Sequence, residues 1–158
     1  MQHNDQLQQY VRRNVEGTNA AELILFLYDT AISAMTMGKA KLKERDLEGT
    51  HNALLRALRV IEELISCLNM EKGGEIAKNL LSLYAYIRRR LTEANSAKES
   101  SGIDEALFLM EGLRMAWKKA LTVNKAEAER VTHVGAASPL QTAAPTSQAA
   151  PRPVNISI

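Results

Sequence analysis

The stretch from Glu22 to Asp29, ELILFLYD, constrains the fold more than any other part of the chain. It places six large apolar residues in a row between two carboxylates. The surrounding residues have helical periodicity, and in a helix six consecutive residues, at about 100° each, go more than once around the axis. Because a surface helix of a small domain is apolar over only one stripe, something else must cover the other side of this helix.

The bulk properties indicate one ordinary globular domain. The chain has 158 residues, of which 46% are hydrophobic and 24% charged, which is enough for one buried core and no more. The net charge is only +2, and the two signs are interspersed along the chain. This balance gives no electrostatic reason to expect nucleic acid or an anionic membrane as the main partner.

The sequence also bears on where the protein acts. The first residues lack the apolar core of a secretion signal, and no uncharged apolar stretch approaches the ~20 residues that span a bilayer. Cys67 is the single cysteine, which suits a reducing compartment. We therefore expect a cytosolic protein that does not insert into a membrane.

Four segments carry helical periodicity, and no segment alternates as a strand does. They cover about residues 20–44, 47–68, 75–95 and 101–130. Asp46 is placed to cap the second helix, and the Gly73-Gly74 pair permits the left-handed conformation that ends a helix, so we expect the second helix to stop at this stretch. Four such helices with short connections predict an all-α fold, an antiparallel four-helix bundle.

The two ends of the chain differ from this helical part. Residues 1–18 are mostly polar, and we interpret them as a short N-terminal segment that caps the bundle surface. Residues 132–158 contain all four prolines and little charge, which predicts a disordered C-terminal tail. The expected organisation is thus a cap segment over 1–18, a helical-bundle domain over 19–131 and a tail over 132–158.

The core stripes of the helices, which include Leu68 on the second helix and Ile76 and Leu80 on the third, do not account for all of the apolar residues. Apolar residues left over on three helices suggest contiguous grooves, and such patches usually mark a partner site. Self-association and burial under the N-terminal segment are alternatives that the pattern leaves open. The residues concerned are Leu23, Leu25 and Phe26 on the first helix, Leu81, Tyr84 and Tyr86 on the third, and Phe108, Leu109 and Met115 on the fourth.

Residues for catalysis or metal binding are poorly represented. The three histidines, His3, His51 and His133, lie far apart along the chain. Glu48 and His51 have the Glu-x-x-His spacing of di-iron bundles, but those sites need that spacing on two helices together with two further carboxylates. We therefore expect no catalytic residue, no metal and no cofactor.

One long string indicates a family. Residues 66–80, SCLNMEKGGEIAKNL, followed by LYAY at 83–86, resemble the run that joins the second and third helices of the flagellar secretion chaperone family. Residues 23–29 resemble the first-helix L-I-L-x-L-Y-D motif of that family, and residues 113–117 resemble its last-helix L-R-x-x-W. Tyr10 has the spacing of the family's N-terminal tyrosine. The resemblance covers about residues 10–120.

Some positions depart from the family's pattern. Thr30 stands where the family often has glycine, and Ala85 replaces a frequent aspartate. The proline that commonly precedes the first helix is missing from the stretch 17–20. These departures concern individual contacts rather than membership of the family.

The resemblance implies a protein that binds the C-terminal segment of flagellin, prevents its premature polymerisation and delivers it to the export gate of the flagellar type III apparatus. In the family this segment is disordered in monomeric flagellin and wraps around the chaperone in apolar grooves, which would supply the missing cover for ELILFLYD. Carried over by position, the partner-binding residues are Tyr10 as a movable cover, Leu25, Tyr28, Tyr84 and Tyr86 as groove lining, and Asn79 as a hydrogen-bonding group for the bound backbone.

Other interpretations are open at this stage. Asn79 can instead make a structural hydrogen bond within the bundle. The same groove can serve a regulatory client, such as an anti-sigma factor or a translational regulator. A metal- or cofactor-binding bundle enzyme would need convergent carboxylates and histidines that the sequence does not offer.

Overall fold

The computed structural model describes residues 20–135, which fold into four helices. These are α1 (Ala20–Lys43), α2 (Leu47–Ser66), α3 (Met70–Ala97) and α4 (Ser101–Gly135). No strand occurs in the described part of the chain, so the predicted all-α class is confirmed. The predicted cap segment lies outside the described residues, as does the predicted tail beyond residue 135.

Contacts divide the chain into two units, residues 1–124 and 125–158. The core and the groove described below belong to the first unit. Of the second unit, the structure describes residues 125–135, which form the end of α4.

The helices are antiparallel, as predicted. The end of α1 meets the beginning of α4, where Lys39 Nζ lies 2.6 Å from a carboxylate oxygen of Asp104. The beginning of α1 meets a later part of α4, where Trp117 Nε1 donates a hydrogen bond of 3.1 Å to the carbonyl oxygen of Ala21. Successive helices therefore run in opposite directions around a common core.

Local side chains set where two of the helices begin. Asp46 caps α2, because its carboxylate accepts a hydrogen bond of 2.8 Å from the backbone N–H of Gly49, as the sequence predicted. Asn69 caps α3 by accepting hydrogen bonds from the backbone N–H groups of Glu71 and Lys72, at 3.1 and 3.0 Å.

The prediction that the Gly73-Gly74 pair ends α2 is wrong. Helix α2 ends at Ser66, and both glycines lie within the span of α3. Gly74 has φ +47° and ψ −127°, which kinks α3 after its first turn. An L side chain rarely adopts this conformation, so the glycine is used for a kink and not for a helix end.

The core lies between the four helices and is built from residues of each. Small residues allow two close approaches: a Cβ at Gly38 would lie 2.8 Å from Leu54 Cδ2, and a Cβ at Gly102 would lie 2.8 Å from the carbonyl oxygen of Arg90. The largest fully buried apolar side chains are those of Leu27, Met35, Leu54, Ile61, Leu64, Ile87, Leu91, Ile103 and Met110.

Two residues of α3 differ from the prediction. Ile76 was expected on the core stripe but is 73% exposed, whereas Tyr84 was expected beyond the stripe but is 2% exposed. Ile76 follows the kink, at a point where none of the described helices covers it. Tyr84 faces α1 and is covered by it.

Helix α1 is long and apolar enough, by length and composition, to cross a membrane. The core helix of a soluble protein passes the same test. Here the buried side of α1 accounts for much of its apolarity, since it includes Leu27, Ala31 and Met35.

Candidate partner-binding groove

An apolar groove opens at one end of the bundle. It lies between the first part of α1, the end of α2, the beginning of α3 and one residue of α4, and it encloses about 330 Å³. We call it the groove from here on. Its lining residues are Ile24, Tyr28, Leu64, Cys67, Leu68, Asn69, Lys72, Gly73, Ile76, Ala77, Leu80, Tyr84 and Trp117.

Two tyrosines form the floor of the groove. The hydroxyl oxygens of Tyr28 and Tyr84 are hydrogen-bonded at 2.5 Å, and their ring centroids lie 6.5 Å apart with planes tilted by 47°. Each residue is 2% exposed. Burial raises the pKa of both hydroxyls, so both remain protonated and neutral at physiological pH.

The turn between α2 and the kink of α3 forms one wall of the groove. Asn69 closes this turn with its two hydrogen bonds, and Gly73 packs so closely that a Cβ there would lie 2.6 Å from Ala77 Cβ. Gly74 then redirects the chain into the long part of α3. The position of this wall therefore depends on both glycines. Gly73 leaves room for Ala77, and Gly74 adopts the backbone conformation of the kink.

Trp117 forms the opposite wall. Its indole N–H is bonded to the carbonyl oxygen of Ala21, and an ion pair between Arg114 and Asp29 holds α4 against α1 one turn away. The ring is thereby fixed with part of its apolar face towards the groove.

The electrostatics of the groove are simple. Lys72 is the single charged residue among those that line it. Cys67 remains a neutral thiol, because burial raises its pKa. The groove thus offers an apolar surface with one cation at its edge, and it suits an apolar segment of neutral or negative charge. In the described part of the chain no group of His, Cys, Asp or Glu is arranged to hold a metal ion.

The structure brings only some of the expected site residues together. Tyr28 and Tyr84 meet at the floor of the groove. Leu25 is half-buried and Asn79 is exposed, and neither lines the groove. The Asn79 side chain makes no hydrogen bond to any described residue. Tyr10 lies outside the described residues.

Tyr86 belongs to a different surface, between α3 and α4. Its hydroxyl donates a hydrogen bond to Glu105, which raises the pKa of the tyrosine and lowers that of the carboxylate. The guanidinium of Arg89 lies 5.3 Å from the centre of the Tyr86 ring, within the range of a cation–π contact. Arg90 Nε donates to the same Glu105 at 2.6 Å. Tyr86 therefore helps to join the two helices and is half-buried there.

Sequence reasoning missed most of the groove walls. Leu68, Ile76 and Leu80 had been placed on core stripes, because their spacing continues the apolar repeat of each helix. They lie at the ends of those stripes, where the described helices separate. The family string at 66–80 was the one available signal, since it contains most of this wall.

A second exposed apolar area lies on α4. Phe108 is 77% exposed and Met115 is 69% exposed, and the two lie seven positions apart, on the side of α4 turned away from the core. Leu109, expected with them, is half-buried and packs against the core. Neither Phe108 nor Met115 lines the groove.

The fold and the site define a helical bundle with an open apolar groove. A model of the family described as flagellar protein FliS matches residues 2–126. The chain is 36% identical over 110 residues to a flagellar secretion chaperone FliS of Salmonella typhimurium, which covers 69% of this chain and 82% of that protein. It is 31% identical over 115 residues to the FliS of Vibrio cholerae, covering 70% of this chain and 85% of the relative.

These matches agree with the motifs found in the sequence. The chain belongs to the FliS family of flagellar secretion chaperones. The resemblance drawn from the sequence is thereby confirmed, and with it a chaperone role in flagellar export.

Proposed function

We propose that this protein is a cytosolic export chaperone for flagellin. It binds the C-terminal segment of flagellin in the groove, prevents premature polymerisation and delivers the complex to the export gate of the flagellar type III apparatus. The observation that carries the proposal is the apolar groove itself. Apolar surface exposed to water is unfavourable, and an apolar segment of flagellin would cover it.

The exposure of the groove residues supports this role. Ile76 offers most of its side chain to solvent, and Ile24, Leu68 and Leu80 are only partly covered. Burying apolar surface yields about 25 cal/mol per Å², so an apolar segment gains free energy by entering. Binding needs no chemistry beyond this burial and a few hydrogen bonds.

The site residues take separate places in this proposal. Tyr28 and Tyr84 contact the client at the floor of the groove. Leu25, Asn79 and Tyr86 lie outside the groove and contact parts of a longer segment that continues around the bundle. Asn79 suits this role because its amide is exposed and, among the described residues, unpaired.

The N-terminal segment, residues 1–18, is proposed to cover the groove when no client is bound, with Tyr10 as the covering side chain. A variant that lacks these residues should then bind the flagellin segment faster, because no displacement precedes binding. The fluorescence of Trp117, the only tryptophan of the chain, provides the signal in a stopped-flow titration. An unchanged association rate would contradict the cover.

Calorimetry tests the main proposal. Flagellin should bind in a one-to-one complex, and flagellin without its C-terminal segment should not bind. Binding that survives the truncation would contradict the proposal.

Two exposed apolar residues allow a matched test of the site. Ile76 lines the groove, whereas Phe108 is equally exposed on α4 and does not. Ile76→Ser should weaken binding of flagellin about tenfold, while Phe108→Ser should leave it unchanged, because only the first removes apolar contact within the groove. Equal losses in the two variants would place the client elsewhere on the bundle.

A further inference from the structure

The two tyrosines at the floor of the groove carry one hydrogen-bond donor more than they use. Each hydroxyl has one hydrogen to donate and two lone pairs to accept with. The pair makes a single hydrogen bond, between Tyr28 Oη and Tyr84 Oη at 2.5 Å. One hydroxyl hydrogen is spent in this bond, and the other has no acceptor among the described residues.

The position of this spare hydrogen makes it unusual. Both residues are almost completely buried, and a buried donor without an acceptor is costly. The lining includes Ile24, Leu64 and Leu80, which offer no side-chain acceptor, and the Cys67 thiol, whose sulfur is only a weak acceptor. Because burial also disfavours the ionised phenolate, the donor persists at any physiological pH.

We propose that the spare hydroxyl hydrogen of the Tyr28–Tyr84 pair is a recognition element that donates to an oxygen atom of the bound segment. The groove then selects a segment that is apolar and also presents an uncommitted acceptor at this depth. Within a helix the backbone carbonyls are already bonded, except those of the last turn. The acceptor is therefore a carbonyl of a helix end or of an extended stretch, or a side-chain oxygen, and a continuous helix with only apolar side chains is disfavoured.

This inference deepens the proposed function, and it rests on it only for the identity of the segment. The geometry of the pair shows what the second tyrosine adds. One hydroxyl accepts from the other, which fixes the accepting hydroxyl and leaves its own hydrogen directed away from the pair. A single tyrosine would have the donor but not the fixed orientation.

The double variant Tyr28→Phe/Tyr84→Phe tests the inference. Replacing both partners by apolar groups of the same shape is nearly neutral for stability, so the urea midpoint should change little. The affinity for the C-terminal segment of flagellin should fall about threefold to tenfold, which corresponds to one hydrogen bond. Each single variant retains one hydroxyl hydrogen and should lose less than the double variant.

An affinity of the double variant equal to or tighter than that of the wild type would overturn the inference. So would a loss in either single variant as large as in the double. The midpoint in urea is measured on the same samples, so that a loss of binding through a damaged fold is recognised by a parallel loss of stability.

A second measurement does not depend on flagellin. Acetophenone and toluene are aromatic probes of similar size, and only the first carries a carbonyl acceptor. The affinity of each probe is measured from the NMR shift of the Trp117 indole N–H. The ratio of the affinity for acetophenone to that for toluene should be about threefold to tenfold higher in the wild type than in the double variant. Because the same ratio is compared between the two proteins, the difference in hydrophobicity between the probes cancels.

The two experiments separate the possible failures. If wild-type protein does not bind flagellin, the proposed function is wrong, and the probe ratio still decides the inference. An equal ratio in the two proteins, or no binding of acetophenone to the wild type, would overturn the inference whatever flagellin does.

Discussion

The two ends of the bundle use similar apolar residues for opposite purposes. At the closed end, where α1 and α3 finish and α2 and α4 begin, Gly38 lies close against the Leu54 side chain and Gly102 close against the Arg90 backbone. Leu54 and Ile103 are completely buried there. At the groove end, the turn before α3 and the kink at Gly74 leave the helices apart, and Ile76 remains exposed. The closed end provides stability, and the groove end keeps apolar surface available.

Polar contacts join the helices at both ends of the bundle. Ion pairs tie the helices at the closed end, Lys39 with Asp104 and Arg90 with Glu105, each at 2.6 Å. All four side chains are partly exposed, so these pairs fix the register of the helices more than they stabilise them. The groove end has the ion pair between Arg114 and Asp29, and it also buries the hydrogen bond between Tyr28 and Tyr84. Apolar side chains are exposed at both ends, Met37 and Leu47 at the closed end and Ile76 at the groove end, and at the groove end they line a cavity.

The largest expected effect is on the closed end. Leu54→Ala should lower the free energy of unfolding by about 2–5 kcal/mol, because it empties a fully buried site beside Gly38. Leu68→Ala, at a half-buried site that lines the groove, should cost less than half as much. Urea unfolding of both variants measures the difference. Similar losses of stability in the two variants would contradict the difference between the closed end and the groove end.

The next effect concerns the kink. Gly74→Ala should cost about 1–3 kcal/mol, because alanine is strained at φ +47°. It should also weaken client binding, since the wall of the groove moves. Gly112→Ala is a matched control, because a Cβ at either position would meet nothing within 4 Å beyond its own local backbone, so that backbone conformation distinguishes the two. The control should be neutral or stabilising by up to about 1 kcal/mol. A Gly74→Ala variant as stable as the control would show that the kink is dispensable.

A smaller effect is expected at alkaline pH. Burial raises the pKa of Tyr28 and Tyr84 in the folded protein above the ordinary value of 10.0. The folded state then holds these protons more tightly than the unfolded chain, so their contribution is complete below about pH 10 and is lost as the pH rises further. Between about pH 8 and pH 11 the wild type should lose about 1–2 kcal/mol more than the Tyr28→Phe/Tyr84→Phe variant.

Urea unfolding at both pH values measures this difference. Equal alkaline losses in the two proteins would mean that the tyrosine pair ionises as freely as in the unfolded chain. The floor of the groove would then be open to water, which contradicts its burial.

The smallest effect on stability belongs to the groove wall. Ile76→Ser should change the free energy of unfolding by no more than about 0.5 kcal/mol, because the side chain is 73% exposed. Thermal unfolding monitored by circular dichroism measures the change in stability. A loss comparable to that of Leu54→Ala would show that Ile76 belongs to the core, and the groove end would then be closed in solution.

The helical part of the fold could be predicted well from the sequence. Periodic apolar residues gave the number and order of the helices, and Asp46 marked where α2 begins. The end of α2 was placed too late, because Gly73 and Gly74 permit a left-handed conformation in more than one setting. The sequence shows that glycine is available, and only the packing of Gly73 against Ala77 shows that the pair serves α3.

The candidate site was predicted less completely. Tyr28 and Tyr84 lie 56 residues apart in sequence and form one hydrogen-bonded floor. The motifs predicted both tyrosines as groove lining, but they did not predict the hydrogen bond between them. Tyr86 stands in the same motif as Tyr84, yet it faces Glu105 on another surface. Two residues of a helix that lie two positions apart point in very different directions, so a shared motif does not imply a shared site.

The sequence by itself determined the helices, one of their caps and the family, because periodicity and capping act over three or four residues and the motif string is contiguous. The tertiary structure alone decided which apolar residues remain uncovered. Ile76 and Ile87 belong to the same apolar repeat of α3, but Ile76 is exposed and Ile87 is buried. Burial depends on what lies opposite a side chain, and that is set by a kink, by two close approaches and by contacts between residues distant in sequence.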